Sequence, residues 1–286
     1  FEHSDLYYNP KEVPQPGKFY LPVQCQHCQD APCEEVCPTG ATYHHKSGVV
    51  LVPLNTRLTP HELGFIIRDA GLKVLMYDEA NRAIVHRLRA TVEIVHWIAF
   101  DEPDHPADPD YADLVLTRGA GNSVRRRCRP EDPYCLLYTS GTTGKPKGVV
   151  RPLDYATGLT ALTSAPRYEP GRSQLHLCTG PMHHGGPLVY SMCVPIWHGV
   201  GTVLMDRWDA TEALRLIEHH RITHTHMVPT MFHRLLRLPE EVRTRADVSS
   251  LQYVAHGAAP CTVATKRAMI EWFGPILWEY YAASEG

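Results

Sequence analysis

From residue 49 onward, short apolar runs alternate with segments of helical period, and this alternation limits the folds open to the chain. Val49–Val52 reads as a strand. Thr59-Pro60-His61-Glu62 then opens a helix: Thr59 suits the N-cap, Pro60 the first helical position, and Glu62 completes a capping box. Leu63, Ile66, Ile67 and Ala70 form one apolar face, which Gly71 ends. Lys73–Tyr77 and Glu93–Trp97 read as buried strands, and Tyr134–Tyr138, Leu175–Cys178 and Thr202–Met205 continue the series. Asp209 caps a helix with Glu212 three residues on and Ala213, Leu216 and Ile217 inside. A helix after Pro229 carries Met231, Leu235 and Leu236. Val254 ends a strand, Val263–Phe273 is a helix and Ile276–Tyr280 the last strand. Such alternation predicts an α/β fold with mostly parallel sheets and flanking helices. Residues 101–132, rich in Asp and Pro, read as a surface connection, with Arg125, Arg126 and Arg127 as a solvated face.

Residues 1–48 differ. They are rich in Pro, Gln, Tyr and Cys, sustain no period, and hold too little apolar material to fold alone. Four of the nine cysteines fall here, as Cys25, Cys28, Cys33 and Cys37, with the spacing C-x2-C-x4-C-x3-C followed by Pro38. Thiolates are soft ligands, and short loops let several converge on one iron–sulfur cluster. A zinc knuckle and unmetallated thiols are the alternatives. Cys128, Cys135, Cys178, Cys193 and Cys261 are scattered, mostly among apolar residues. An odd count with one cluster departs from a secreted disulfide framework and predicts a reducing compartment, the cytoplasm.

Charge excludes one class. With 28 basic and 31 acidic residues the net charge is −3, which argues against nucleic-acid binding driven by net charge and leaves only a local basic patch open. The sequence predicts no membrane span and shows no secretory leader. It opens at Phe1 with its first methionine at Met76, which suggests an upstream start or a fragment.

The richest word is Tyr138-Thr139-Ser140-Gly141-Thr142-Thr143-Gly144-Lys145-Pro146-Lys147-Gly148-Val149. Glycines let backbone N–H groups approach an anion, hydroxyls donate hydrogen bonds and lysines add charge, which together make a phosphate grip. It is not a Walker A loop, because Pro146 follows Lys145. A plain Gly/Thr hairpin is the alternative.

These words resemble the adenylate-forming (AMP-binding) superfamily of acyl-CoA synthetases, luciferases and peptide-synthetase adenylation domains. The Thr139–Lys147 stretch resembles its phosphate loop. Pro181-Met182-His183-His184-Gly185-Gly186 resembles the substrate-pocket motif, and His256-Gly257-Ala258-Ala259-Pro260 the adenine loop. Tyr281-Ala282-Ala283-Ser284-Glu285-Gly286 resembles the family's Tyr-Gly-x-Thr-Glu word with small-for-small and hydroxyl-for-hydroxyl exchanges. Val52–Leu63 also fits, and Glu218–Leu238 is most similar to the fatty-acyl-CoA synthetase branch.

The resemblance implies a two-step reaction. A carboxylic acid, expected to be a fatty acid, attacks the α-phosphate of ATP, and coenzyme A then displaces AMP. It implies that Thr139, Ser140, Gly141, Thr142, Thr143, Gly144, Lys145 and Lys147 hold the β- and γ-phosphates. Ser284 would bond the α-phosphate and Glu285 ligate Mg²⁺. Gly257, Ala258, Ala259, Pro260 and Tyr281 would flank the adenine, and His184 would gate the acyl pocket. His184, Lys145 and Glu285 would carry the catalysis. The family continues beyond its Tyr-Gly-x-Thr-Glu word, so the chain reads as a truncated N-terminal part.

The segment from about Phe19 to Val50 resembles the ferredoxin-type domain of iron–sulfur subunits of molybdopterin oxidoreductases. That implies a 4Fe–4S cluster on Cys25, Cys28, Cys33 and Cys37 and a redox partner subunit. In two-cluster ferredoxins the fourth cysteine of a run serves the other cluster, and here the next cysteine is Cys128. The chain thus reads as two partial units, 1–48 and 49–286, joined near Gly48–Val52. The remaining His pairs (His219 with His220, His224 with His226) read as packing or surface residues, and His44 with His45 as a turn. Trp197, Trp208, Trp272 and Trp278 read as core, and Cys261 as a helix-start residue.

Overall fold

The computed structural model describes residues 44–45, 48–118, 129–139, 145–152, 168–169 and 172–282. Strands β1 (His44–His45) and β2 (Gly48–Val49) pair antiparallel, so His44 and His45 stand in a strand because Val49 and Gly48 lie opposite them. The chain then enters the core at Val50 and Val52, and Leu51 bridges to Cys135.

Local rules set the first helix, Pro60–Asp69. Thr59 Oγ1 accepts from the Glu62 amide at 3.3 Å, and the Thr59 amide donates to Glu62 Oε2 at 2.8 Å. This is the reciprocal capping box that satisfies otherwise orphaned N–H groups. Leu63, Ile66 and Ile67 are buried, and Gly71 takes a left-handed φ of 62° just past the end. Strands β3 (Val74–Tyr77) and β4 (His96–Ala99) pair parallel across the helix Arg82–Arg89. β4 begins later than its apolar run suggests, because Val95 is exposed and burial starts at Ile98.

Two expectations are corrected in the next stretch. Residues 101–132 are not all connection: Tyr111–Arg118 is a helix, begun where Asp110 Oδ1 accepts from the Asp113 amide at 3.1 Å. Tyr111 and Leu114 pack on Val74, Met76 and Ile98, a contact that a Pro- and Asp-rich composition hides. Arg125, Arg126 and Arg127 lie outside the described residues. Strand β5 (Pro133–Thr139) then pairs antiparallel with β6 (Lys147–Pro152), a strand absent from the sequence reading. The ends of the Gly/Thr/Lys word, Tyr138–Thr139 and Lys147–Val149, therefore lie in paired strands.

The main sheet holds β7 (Leu175–Cys178), β8 (Gly201–Leu204), β9 (His224–Met227), β10 (Tyr253–His256) and β11 (Leu277–Glu279). All pairs are parallel, in the order β11-β10-β9-β7-β8. β10 runs on past Val254 to His256, since His226 and Met227 of β9 pair with Ala255 and His256. Helices Ala210–His220, Pro229–Leu236, Glu240–Arg245 and Val263–Phe273 make the later crossovers. Asp209 Oδ1 accepts from the Glu212 amide at 2.8 Å, as its position predicts.

The sheet has two unlike faces. Leu177, Thr225 and Val254 lie in one row, and on this face Leu177, Val254 and Met227 pack in one core with Ile217, Phe232, Leu235 and Met269 from the helices. The opposite face carries His176, His224, His226 and Tyr253, covered in part by the π-helical turn Val189–Cys193. Of the tryptophans expected in the core, Trp208 and Trp272 pack against it. Trp197 and Trp278 are 58% and 49% exposed. Trp197 ends a helical segment at the surface, and Trp278 lies on edge strand β11, where it stacks on Tyr253 at 5.8 Å. Among the described residues no helix is long and apolar enough to cross a membrane.

Phe232 is fully buried and sits edge-on to His256 with ring centroids 5.2 Å apart. Phe232→Ala is expected to cost about 3–5 kcal/mol of stability, read from the midpoint of urea denaturation; a change near zero would place this helix outside the cooperative core.

Candidate functional site

The order of the main sheet reverses direction. The chain goes outward from β7 to edge strand β8, then returns past β7 to β9 and continues to β10 and β11. In an open parallel sheet the crevice beyond the carboxyl ends of the strands at such a switch point is where ligands bind. The switch here lies between β7 and β9. Thr179, just past β7, ties the two ends together by donating its hydroxyl to the His226 carbonyl at 2.5 Å.

The words singled out by sequence leave the sheet at this edge. β7 runs through Thr179 and Gly180 into Pro181–Gly186. His184 takes the N-cap position of the short helix Gly185–Leu188, with its amide donating to the Pro181 carbonyl at 3.1 Å. His184 is exposed and His183 partly buried, with ring centroids 4.4 Å apart. Desolvation, then the neighbouring His184 and Arg57, pull His183 down to about 4. Desolvation and Arg57 also lower His184. Both imidazoles are therefore held toward the neutral form beside a guanidinium.

β10 leads into Gly257, Ala258, Ala259 and Pro260. Ala258 has φ 65°, a left-handed conformation that L-residues avoid. His256, at the strand end, points into the core with 0% exposure, and among the described residues neither ring nitrogen has a hydrogen-bond partner. Desolvation and then Lys266 lower its pKa. β11 leads into Tyr280 and a fully exposed Tyr281.

The β5–β6 hairpin sets Thr139 opposite Lys147, and Lys145 and Lys147 are both exposed. Leu137 Cδ1 stands 3.3 Å from where a Cβ on Gly185 would lie, so β5 abuts the start of the helix that His184 caps. Cys135 and Leu137 also pack with Leu188 and Cys193. Ser140, Gly141, Thr142, Thr143, Gly144, Ser284 and Glu285 lie outside the described residues, as do Cys25, Cys28, Cys33 and Cys37. Among the described residues no group of three or more His, Cys, Asp or Glu could hold a metal ion.

Sequence reasoning passed over three residues at this edge: Tyr190, His226 and Tyr280. His226 was visible only as half of an alternating His pair, and Tyr280 as the end of a strand. Their association depends on contacts between distant segments. The His226 Nε2 and the Tyr280 hydroxyl are 2.7 Å apart, and Tyr190 stacks on His226 at 5.5 Å with an interplanar angle of 7°.

A family model described as AMP-binding enzyme matches residues 44–286. A medium/long-chain-fatty-acid–CoA ligase of Mycobacterium tuberculosis is 31% identical over 80% of this chain and 41% of its own length. An indoleacetate–CoA ligase of Aromatoleum aromaticum is 31% identical over 74% of this chain and 41% of its own. The chain thus spans about two fifths of the length of these relatives. Among solved structures, the inhibitor-bound N-terminal domain of FACL13 from Mycobacterium tuberculosis superposes with a TM-score of 0.69 at 26% identity. That match covers 83% of this chain and 58% of the other.

The imidazoles give the fold a pH dependence. Burial and the nearby His256 hold His226 down to about 4, against an ordinary 6.5. A depressed histidine binds its proton more readily when unfolded, so the unfolded state holds more protons between pH 6.5 and 4. This contribution to stability is whole above pH 6.5 and is lost as the pH falls toward 4. Urea midpoints measured across that range should decline on acidification, with a shallower slope in His226→Gln. Equal slopes in the two proteins would remove His226 as a cause.

Proposed function

The chain belongs to the AMP-binding enzyme family, and from that premise we propose that it activates a carboxylic acid with ATP, as the adenylating part of an acid–CoA ligase. One observation carries this reading: the His184 word, the Gly257–Pro260 loop and Tyr281 all follow strands at one carboxyl edge, beside the order reversal. Strand β5, which leads into the Gly/Thr/Lys word, abuts the start of the helix Gly185–Leu188 through Leu137.

Joining a carboxylate to a polyphosphate brings two anions together, so the site must neutralise charge and align the reactants. An acid oxygen attacks the α-phosphorus, its bond to the bridging oxygen breaks, and pyrophosphate leaves. In this reading Thr139, Ser140, Gly141, Thr142, Thr143, Gly144, Lys145 and Lys147 hold the β- and γ-phosphates. Ser284 bonds the α-phosphate. Gly257, Ala258, Ala259 and Pro260 with Tyr281 flank the adenine, and His184 borders the acid. The carboxylate of Glu285 suits Mg²⁺, a hard cation that takes oxygen ligands and offsets phosphate charge. The thiol of coenzyme A then displaces AMP in the complete ligase. The substrates are small molecules, and the proposed compartment is the cytoplasm.

The first test is calorimetry with Mg-ATP. Lys145→Ala removes one charged donor and should weaken binding about 10- to 100-fold. No heat from the unaltered chain would reject the grip. Pyrophosphate exchange across a panel of acids then reports the chemistry.

A second reading concerns residues 1–48, which we propose form a unit separate from 49–286. The spacing of Cys25, Cys28, Cys33 and Cys37 ahead of Pro38 favours it. Four soft thiolates in a short loop suit a 4Fe–4S cluster and electron exchange with a partner subunit. After anaerobic reconstitution a broad visible charge-transfer band is expected, lost in Cys28→Ala. A colourless protein would reject the cluster.

A further inference from the structure

Tyr280 lies between two segments for which the sequence predicts ligands. Its hydroxyl stands 3.0 Å from where a Cβ on Gly186 would lie, and its ring atoms 2.6–2.8 Å from where a Cβ on Gly257 would lie. Real Cβ contacts do not come so close to an aromatic ring, so a side chain at Gly257 would displace Tyr280. The glycines thus admit the ring into the gap between the Pro181–Gly186 word and the His256–Pro260 loop.

Once there, the ring is held from two other directions. Its hydroxyl meets His226 Nε2 at 2.7 Å, from β9. Tyr190, on the π-helical turn after β7, packs on it with centroids 4.6 Å apart and stacks on His226 at 5.5 Å. His226 and Tyr190 are buried, and Tyr280 is partly so. Such a three-ring cluster cannot swing aside as a lone methionine or leucine could.

On the adenylation reading, which this inference rests on, the acid carboxylate meets ATP between those same two segments. Its carbon skeleton must therefore begin in the gap that Tyr280 occupies. The geometry points to Tyr190, His226 and Tyr280 as the floor of the acid pocket, restricting the substrate to compact acids, short-chained or bearing one flat ring. Length is limited because the floor is filled by rings already packed against one another. A flat ring is favoured because Tyr faces offer stacking. A long alkyl chain is disfavoured because it would have to part the hydrogen-bonded Tyr280–His226 pair and leave both polar atoms buried without partners. This narrows the fatty-acid expectation drawn from Glu218–Leu238.

The test uses acylsulfamoyl adenosines, which mimic acyl-adenylates, with acetyl, butanoyl, phenylacetyl and dodecanoyl groups, and AMP as the nucleotide-only probe. Affinities for the full chain are measured by calorimetry. The butanoyl and phenylacetyl compounds should bind at least about tenfold tighter than the dodecanoyl compound. Tyr280→Ala should bring dodecanoyl to within about threefold of butanoyl, each taken relative to AMP in the same variant. Tyr280→Phe keeps the ring but removes the hydroxyl that meets His226, so its discrimination should fall between that of the unaltered chain and that of Tyr280→Ala. If Tyr280→Ala does not fold, Tyr190→Ala opens the same floor, and the unaltered chain's series already decides. Dodecanoyl binding as tight as butanoyl in the unaltered chain, or discrimination unchanged in the opened variants, overturns the floor. AMP binding without discrimination overturns the floor alone, whereas no binding of AMP or any analogue overturns the adenylation reading as well.

Discussion

A parallel sheet has to be covered on both faces, and everything else in this chain depends on how differently the two faces are covered. One face is met by aliphatic and aromatic side chains from three crossover helices. The other presents a row of imidazoles to the segment between β7 and β8. There His176 hydrogen-bonds Ser191 Oγ through Nε2 at 2.9 Å and the Tyr168 hydroxyl through Nδ1 at 2.7 Å. Burial keeps His176 well below the ordinary imidazole pKa, with His224 and His226 adding to the shift. The outcome is a hydrogen-bonding layer in which His176 and His226 are held toward the neutral form. It is more specific in geometry than an aliphatic layer, since each buried nitrogen needs its own partner.

That layer also explains why the site is where it is. The chain between β7 and β8 has to come back over the imidazole face, and it does so through a π-helical turn, a form frequent at functional sites. The turn delivers Tyr190 to His226 and leaves His184 at the rim. The aliphatic face is the stable platform, and the polar face is where the chain can afford variety.

Legibility in the sequence followed the range of the interaction. The capping box at Thr59 and Glu62, the cap at Asp209 and the bounds of Val263–Phe273 are set by neighbours three or four residues away, and they read correctly. The parallel sheet was legible because alternation of strand and helix leaves few other arrangements. Strand β6 was not, because Lys147–Pro152 is fixed by pairing with β5 more than by its own pattern. The helix Tyr111–Arg118 was hidden by composition, and the exposure of Trp278 by the fact that edge position is a property of the sheet. At the candidate site, the words around His184 and Gly257–Pro260 stand out in the sequence, and the structure sets them after β7 and β10. Tyr280 does not stand out there, because what singles it out is the absence of side chains at Gly186 and Gly257, residues far apart in sequence.

The left-handed backbone at Ala258 has a further consequence. An alanine held there has already surrendered the conformations it would prefer, and the fold has met that cost of about 1–3 kcal/mol in advance. A molecule arriving at Gly257–Pro260 therefore meets a surface whose shape is decided before the encounter. On the proposed function, recognition at this loop is selection by a template, with little ordering left to do on binding.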